Sequence, residues 1–249
     1  DDASVHYDGP MIVLVNQFSA SASEILAAAL QDYGRALIVG GDHTHGKGTV
    51  QAMLDMNRNL PLLRLQDYED LGALKLTIQK FYRISGGSTQ YKGVEPDLVV
   101  PSLLDYLESG EKYMDYSLPW DQVGAVDFEP WQGYRFDVAK ARREGGKWAA
   151  DNPLFDKIRE ETAKAKARSE ETTLPVSLQG MWQDREELAA TRKEAQAIGL
   201  LQEGEEEGAA APEEKKPLEE TLGTDPVVQV SLFLMRDLPR PGRRIGLSQ

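Results

Sequence analysis

Cysteine is absent from this chain of 249 residues, which excludes disulfides, thiolate catalysis and cysteine-based zinc sites and fits a reducing as well as an oxidising compartment. No apolar run approaches the roughly 18 residues that a membrane-spanning helix needs. Basic residues are too few to balance the acids, and the net charge of −13 disfavours nucleic acid and other anionic partners. The apolar residues, 41% of the chain, still suffice for a folded core.

Strand and helix signals alternate through the first hundred residues. Met11–Val15 is an unbroken apolar run, which is typical of a strand buried on both faces. The alanine-rich residues 21–33 predict a helix, because Ser21 and Glu24 have the spacing of a capping box and a glycine follows. Ala36–Val39 predicts a second buried strand.

The same region continues with two loops, three further strands and a turn. Residues 40–48 predict the loop, and Thr49–Leu54 predicts a strand. Apolar side chains alternate with polar ones over residues 74–79, which is the pattern of a half-buried strand. Gly86-Gly87 predicts a turn, and Val94–Pro101 predicts a loop that leads into a short edge strand closed by proline. The first hundred residues therefore predict an α/β fold.

Beyond Ser102 the strand signals fade and charged residues accumulate. Pro153–Ser169 and Leu178–Ile198 have helical composition, and Asp225–Leu234 predicts a last, short packed helix. Residues 202–217 are rich in glutamate, alanine and proline and can bury too little apolar surface to offset the entropy of ordering. We expect a flexible acidic linker there.

A group of three serines lies where the first strand gives way to the helix, in Phe18-Ser-Ala-Ser-Ala-Ser-Glu24. A serine on such a tight turn exposes its hydroxyl, while free N–H groups and the helix dipole can stabilise a developing oxyanion. Capping boxes are common, however, so this segment alone favours serines that only cap the helix.

A single lysine, Lys47, lies between Gly46 and Gly48 just after the second strand and its loop. An amine acts as a base only when it is neutral, and burial in an apolar pocket beside the sheet could keep it so. On spacing alone, a solvated loop lysine is the more common case.

The same loop also offers residues for phosphate binding, for metal binding or for a catalytic triad. Residues 41–47 match the first seven positions of a phosphate-binding loop, but Gly48 stands where Ser or Thr should bind magnesium and a strand follows where a helix should begin. Asp42, His43 and His45 could be metal ligands, yet without a companion motif exposed loop histidines are the favoured interpretation. A Ser/His/Asp triad that uses His45 stays open in principle.

Five ordered segments over about eighty residues form a recognisable set, and they are Phe18-Ser-Ala-Ser-Ala-Ser-Glu24, Gln31-Asp-Tyr-Gly-Arg-Ala36, Gly46-Lys-Gly-Thr-Val-Gln51, Thr77-Ile-Gln-Lys-Phe-Tyr-Arg83 and Lys92-Gly-Val-Glu-Pro-Asp97. Together they resemble the C-terminal processing peptidases, most nearly their bacterial tail-specific protease branch. The set is far more specific than any one segment, and it favours the catalytic interpretation of both the serine group and Lys47. A later segment, Leu118-Pro-Trp-Asp121, resembles the helical C-terminal region of that branch.

The resemblance implies a role for individual residues. Ser21, the middle serine, would be the nucleophile and Lys47 the general base, with Gln51 orienting Lys47. The backbone N–H of Ala22 would be one oxyanion donor. The chain opens on Asp1 without Met or a leader, so we expect a piece of a longer protein. The family's second oxyanion donor, from a glycine-rich segment, and its PDZ domain would lie upstream.

The resemblance also implies a fold, a reaction and a location. Residues 1–101 would form part of an α/β peptidase core like that of crotonase and Clp protease, and residues 102–249 a mainly helical region. The reaction would be hydrolysis near a protein's C-terminus through an acyl-enzyme on Ser21, without cofactor or metal. Substrates would be tails with small apolar ends, a lipoprotein adaptor is a candidate partner, and the family implies the periplasm. The alternative is a non-catalytic scaffold or peptide-binding module.

Overall fold

The structure is a computed structural model that describes residues 5–59, 71–197, 222–236 and 238. The predicted linker over residues 202–217 lies outside the described residues. Strands and helices are mixed, as the sequence predicts. The strands are β1 (Ile12–Val15), β2 (Leu37–Gly40), β3 (Thr49–Asp55), β4 (Ala73–Lys80) and β5 (Leu98–Val99). The helices are α1 (Ala22–Asp32), the short α2 (Met56–Asn59), α3 (Val138–Asp151), α4 (Pro153–Ser169), α5 (Leu178–Ala197) and α6 (Pro226–Met235), and a 3-10 turn spans Glu111–Tyr113.

The central sheet is parallel and has the strand order β1-β2-β5. β1 pairs with β2 so that Val13 lies opposite Ile38, and β2 pairs with β5 so that Val39 lies opposite Leu98. The central strand β2 is buried along its whole length, whereas Leu14 on β1 is 44% exposed. The prediction of a first strand is confirmed, but its burial on both faces is wrong, because β1 is an edge strand of the described sheet.

Apolar clusters cover both faces of this sheet, because successive strand residues point to opposite sides. Ile38 faces α1 and packs with Val15, Ala27, Ala28, Ala36 and Val94. Leu37 and Val39 face the C-terminal helices and pack with Leu98, Val100, Ala141, Ala149, Phe155, Ile158 and Val230. Helices α3, α4 and α6 therefore share one core with the sheet.

Strands β3 and β4 form a separate antiparallel hairpin with a register shift at Val50 and Gln51. The prediction of a strand over residues 74–79 is confirmed, but its half-buried character is wrong. Leu74, Leu76 and Ile78 are 44%, 37% and 63% exposed. Their alternation does not translate into burial, because neither core cluster of the described residues extends to this hairpin.

The predicted helices all form, and two further helices, α2 and α3, were not predicted. α1, α4, α5 and α6 occupy the segments that composition and caps indicate, with Asp225 as the N-cap of α6. The sequence does not indicate α3, because Gly145-Gly146 interrupts its pattern. A Cβ on Gly145 would lie 2.5 Å from Leu98 Cδ2, so this glycine lets α3 pack against β5. None of the helices in the described ranges combines the length and apolar character of a membrane span.

Candidate active site

Two predicted site residues follow neighbouring parallel strands. Ser21 comes after β1, and Lys47 comes after β2, which is the direct neighbour of β1 in the sheet. Because the carboxyl ends of parallel strands meet at one edge of a sheet, the connections that carry these residues leave from the same edge. The topology therefore accounts for their approach in space.

Ser21 lies on the turn between β1 and α1, where it is the N-cap of the helix. Its backbone dihedrals, φ 57° and ψ −111°, lie outside the regions that residues with a Cβ normally adopt. The preceding turn is closed by the Ser19 N–H, which donates to Asn16 O at 2.9 Å. A strained turn between a strand and a helix is the geometry that presents nucleophilic serines in α/β hydrolases.

The N-terminus of α1 offers a backbone donor beside Ser21. The Ala22 N–H has no acceptor among the residues that the structure describes, whereas the Ser23 N–H donates to Ala20 O at 3.2 Å. Unpaired N–H groups and the helix dipole both favour negative charge at this end of a helix. The predicted oxyanion donor Ala22 is thus adjacent to Ser21 and free to donate.

Glu24 connects the Ser21 turn to the loop that carries Lys47. Its side chain is fully buried. Oε1 accepts from the Thr44 hydroxyl at 2.5 Å and the Gly46 N–H at 2.6 Å. Oε2 accepts from the Ser21 N–H at 2.8 Å and the Lys47 N–H at 2.9 Å. Four donors suit an ionised carboxylate, which can only accept, and they offset the cost of burying it.

The sequence indicates Glu24 only as a capping partner, and the capping-box spacing correctly predicts its contact with the Ser21 N–H. Its contacts with residues 44–47 could not be predicted, because no local pattern connects Glu24 with a loop some twenty residues later. Nothing in the sequence marks this acid as buried.

The glycines on both sides of Lys47 allow its loop to approach a neighbouring segment closely. Gly46 has φ +88°, and a Cβ there would lie 2.9 Å from Tyr91 O. A Cβ on Gly48 would lie only 2.4 Å from Gln90 N. Since the atoms in the way belong to the backbone, no side chain can replace these hydrogens without moving the main chain.

The side chains of the predicted dyad are not bonded to each other in this state. Lys47 is half-buried, and no hydrogen bond joins its ammonium to the Ser21 hydroxyl in the described part of the chain. Gln51 is exposed on β3 opposite Thr77 and makes no hydrogen bond to Lys47 among the described residues. The structure thus brings together the backbones of Ser21 and Lys47 without a direct bond between their side chains among the described residues.

The two loop histidines are half-buried, so the prediction that they are exposed is wrong. The His45 N–H donates to Ser19 O at 2.9 Å, and His43 Nδ1 lies 2.6 Å from Thr44 O. Neither ring bonds to Ser21 among the described residues, where no group of three or more His, Asp or Glu side chains is arranged to hold a metal ion either. The loop is also bonded on another side, where the Glu111 N–H donates to His45 O at 2.7 Å, so it is partly covered.

The three other segments that resemble the family, over residues 31–36, 77–83 and 92–97, meet near the C-terminal end of α1. Arg83 donates through Nε to Asp32 Oδ2 at 3.0 Å and through Nη2 to Gln31 Oε1 at 2.8 Å. Asp97 accepts from Gln31 Nε2 at 3.0 Å and from the Ile38 N–H at 2.8 Å. These contacts fix α1, and with it the Ser21 turn, against the sheet.

Two family profiles together match nearly the whole chain. Peptidase family S41 matches residues 1–100, and the C-terminal domain of tail specific protease matches residues 104–238. The chain belongs to peptidase family S41, in its tail-specific protease branch. The junction between the two profiles falls just after β5. The C-terminal domain therefore supplies α3, α4 and α6, which pack on the sheet of the S41 segment.

Individual relatives agree with this assignment. A tail-specific protease of Haemophilus influenzae is 48% identical over 128 residues, which are 51% of this chain and 18% of the relative. A carboxy-terminal-processing protease of Bartonella bacilliformis is 43% identical over 109 residues, which are 44% of this chain and 21% of the relative. The chain spans about a fifth of the length of these curated relatives. A solved structure of a photosystem II D1 C-terminal processing protease is 34% identical, with 36% of this chain and 20% of that chain covered and a TM-score of 0.29.

Proposed function

We propose that the whole protein is a serine peptidase in which Ser21 is the nucleophile and Lys47 the general base. The observation that carries this proposal is the shared oxygen of Glu24, which accepts the backbone N–H of Ser21 at 2.8 Å and that of Lys47 at 2.9 Å. Both residues are therefore anchored on one buried atom, which keeps their backbones close together. Membership of peptidase family S41 supports the same reaction class.

In the proposed reaction, the neutral Lys47 amine takes the proton of the Ser21 hydroxyl as Ser21 Oγ attacks the scissile carbonyl carbon. The resulting oxyanion accepts a hydrogen bond from the Ala22 N–H at the positive end of α1. Collapse of this intermediate breaks the C–N bond, and the leaving amine takes the proton from Lys47. Water then attacks the acyl-enzyme, with Lys47 again accepting a proton and returning it to Ser21. Gln51 would orient the lysine during these transfers.

We propose cleavage near the C-termini of proteins, at tails with small apolar ends. The names of the relatives, tail-specific protease and carboxy-terminal-processing protease, support this substrate class. The proposal places the reaction in the periplasm, with a lipoprotein adaptor as a candidate partner. It divides the chain into a crotonase- and Clp-protease-like core segment over residues 1–101 and a helical region over residues 102–249, with a flexible linker over 202–217. A second oxyanion donor would come from an upstream glycine-rich segment.

Turnover of a fluorogenic peptide by the whole protein tests this proposal. We expect Ser21→Ala and Lys47→Ala each to lower kcat by at least about 1,000-fold while the fold is retained, because residues that act as one unit fail together. Ser23→Ala is the matched control, since this exposed serine lies one helical position beyond Ala22, and it should retain the parent rate. A normal kcat for Lys47→Ala would refute the dyad. A loss in His45→Ala as large as that in Ser21→Ala would favour a histidine-based triad instead.

A further inference from the structure

Gln90 is a fully buried polar residue that the reaction scheme does not use. Its side chain is 0% exposed, and its amide bridges two segments of the chain. Oε1 accepts from the Gly48 N–H at 2.9 Å, directly after Lys47. Nε2 donates to Glu111 Oε1 at 3.0 Å and to Leu118 O at 3.2 Å. Gln90 therefore links the Lys47 loop to residues that follow the S41 segment.

The orientation of the Gln90 amide is determined by its surroundings. A flipped amide would turn its oxygen toward Glu111 Oε1 and Leu118 O, which are both acceptors, and its NH₂ toward the Gly48 N–H, which is a donor. A buried polar group in such a mismatch loses its partners and gains repulsion. The two acceptors, Glu111 Oε1 and Leu118 O, thus keep the oxygen of Gln90 directed at Gly48.

Glu111 makes a second contact with the Lys47 loop through its backbone. Its N–H donates to His45 O at 2.7 Å. The close approach depends on Gly110, which has φ +127° and whose Cβ, if present, would lie 2.8 Å from His45 O. Glu111 therefore holds the loop two residues before Lys47 through its backbone and directly after Lys47 through Gln90.

We propose that Gln90 and Glu111 are positioning residues that fix the backbone on both sides of Lys47. The inference rests on the proposed function, in which Lys47 is the general base. It deepens that function because Glu111 lies within residues 104–238, the part that matches the C-terminal domain of tail specific protease. The C-terminal domain would then be required to place the base as well as to cover the sheet.

A role of Glu111 in positioning Lys47 can be distinguished from a role in folding. Glu111 belongs to neither apolar core cluster of the described residues, so its truncation should leave the sheet and its helices intact. A general base displaced by about 1 Å can, however, cost about 100-fold in rate. Loss of Glu111 should therefore appear in kcat, and much less in KM or in the amount of folded protein.

Four variants of the whole protein test this relationship. We expect Glu111→Ala to lower kcat about 10- to 100-fold with KM nearly unchanged. Gln90→Glu should be at least as severe, because a second carboxylate would then face Glu111. The double variant Gln90→Glu/Glu111→Gln restores a donor opposite an acceptor and should recover at least about 10-fold of the Gln90→Glu loss. Glu108→Ala is the control, since Glu108 is an exposed acid three residues before Glu111, and it should match the parent.

Amide hydrogen exchange in the 249-residue chain provides a readout independent of activity. We expect Glu111→Ala and Gln90→Glu to speed the exchange of residues 46–48, and Glu108→Ala and Ser21→Ala to leave it unchanged. Unchanged exchange in Glu111→Ala, or no recovery of kcat in the double variant, would overturn the positioning role. Failure of the dyad would instead appear as full activity of Lys47→Ala, whatever residues 46–48 do.

Discussion

The backbone N–H groups of Ser21 and Lys47 both donate to Oε2 of Glu24, at 2.8 Å and 2.9 Å. One buried atom therefore holds the start of α1 and the loop after β2 at a fixed separation. The same carboxylate also accepts from the Thr44 hydroxyl and the Gly46 N–H, so the loop cannot move independently of the serine turn. The distance between the proposed nucleophile and base thus depends on a residue that takes no part in proton transfer.

Replacing Glu24 with glutamine tests this dependence. An amide would direct an NH₂ group at two of the four donors, which leaves buried N–H groups without acceptors. We expect Glu24→Gln to lower the free energy of unfolding by about 1 to 3 kcal/mol and to lower kcat at least about 10-fold. Thermal unfolding and peptide turnover measure the two effects. Glu95→Gln, at an exposed position, should change neither, and a normal kcat in Glu24→Gln would show that the shared carboxylate is dispensable.

The sequence predicts features that depend on neighbouring residues and does not predict contacts between residues far apart in the chain. The α1 helix could be predicted because its cap, its alanines and its terminal glycine are all local to residues 21–34. Lys47 and Ser21 stood out only through a resemblance that combines distant segments. The bonds from Glu24 to Gly46 and from Gln90 to Gly48 join residues more than twenty positions apart, and no periodicity records such contacts.

Local sequence patterns also fail to predict which side chains are buried. The alternation of residues 74–79 identifies β4 correctly but cannot say whether another layer covers the hairpin. Conversely, Gly145-Gly146 conceals α3, because glycine lowers helix propensity. Packing against Leu98 outweighs that propensity in the folded chain.

The two adjacent glycines of α3 allow a matched test of how this helix packs on β5, because only Gly145 faces the strand. Gly145→Ala places a Cβ 2.5 Å from Leu98 Cδ2, and we expect a loss of about 1 to 3 kcal/mol in the free energy of unfolding. Gly146→Ala meets no atom within 4 Å and should gain about 0.5 to 1 kcal/mol from helix propensity. Denaturant unfolding of the 249-residue chain measures both. Equal effects at the two positions would contradict the observed contact between α3 and β5.

The raised pKa of Asp105 predicts that the stability of the folded chain depends on pH. Partial burial raises the pKa of its carboxyl above the usual 3.8, with a further contribution from Asp42, while the Ser102 N–H and His43 oppose the rise. A raised pKa means that the ionised form is less favourable in the folded chain than in the unfolded one, so this penalty is present at neutral pH and disappears below 3.8. We expect Asp105→Asn to raise Tm at pH 7, because asparagine keeps an acceptor for the Ser102 N–H without the charge.

The pH series for Asp105→Asn contains its own control. As the pH falls through the raised pKa, the carboxyl first becomes neutral in the folded chain, and below 3.8 it is neutral in the unfolded chain as well, so the difference in Tm from the parent should shrink toward zero. A Tm difference that stays constant from pH 7 to pH 3, or a lower Tm for Asp105→Asn at pH 7, would show that burial of the charge is not what the substitution relieves.

Whether Ser21 is a nucleophile activated by Lys47 can be tested by mapping the adduct of a fluorophosphonate on the whole protein. Such a reagent phosphonylates a serine only where a base has made its hydroxyl nucleophilic. We expect one adduct, on the peptide that contains Ser21, at an equal rate in Ser23→Ala and at a rate at least about 1,000-fold lower in Lys47→Ala. An adduct on another serine, or labelling of Ser21 that survives in Lys47→Ala, would show that Ser21 and Lys47 are not the nucleophile and its base.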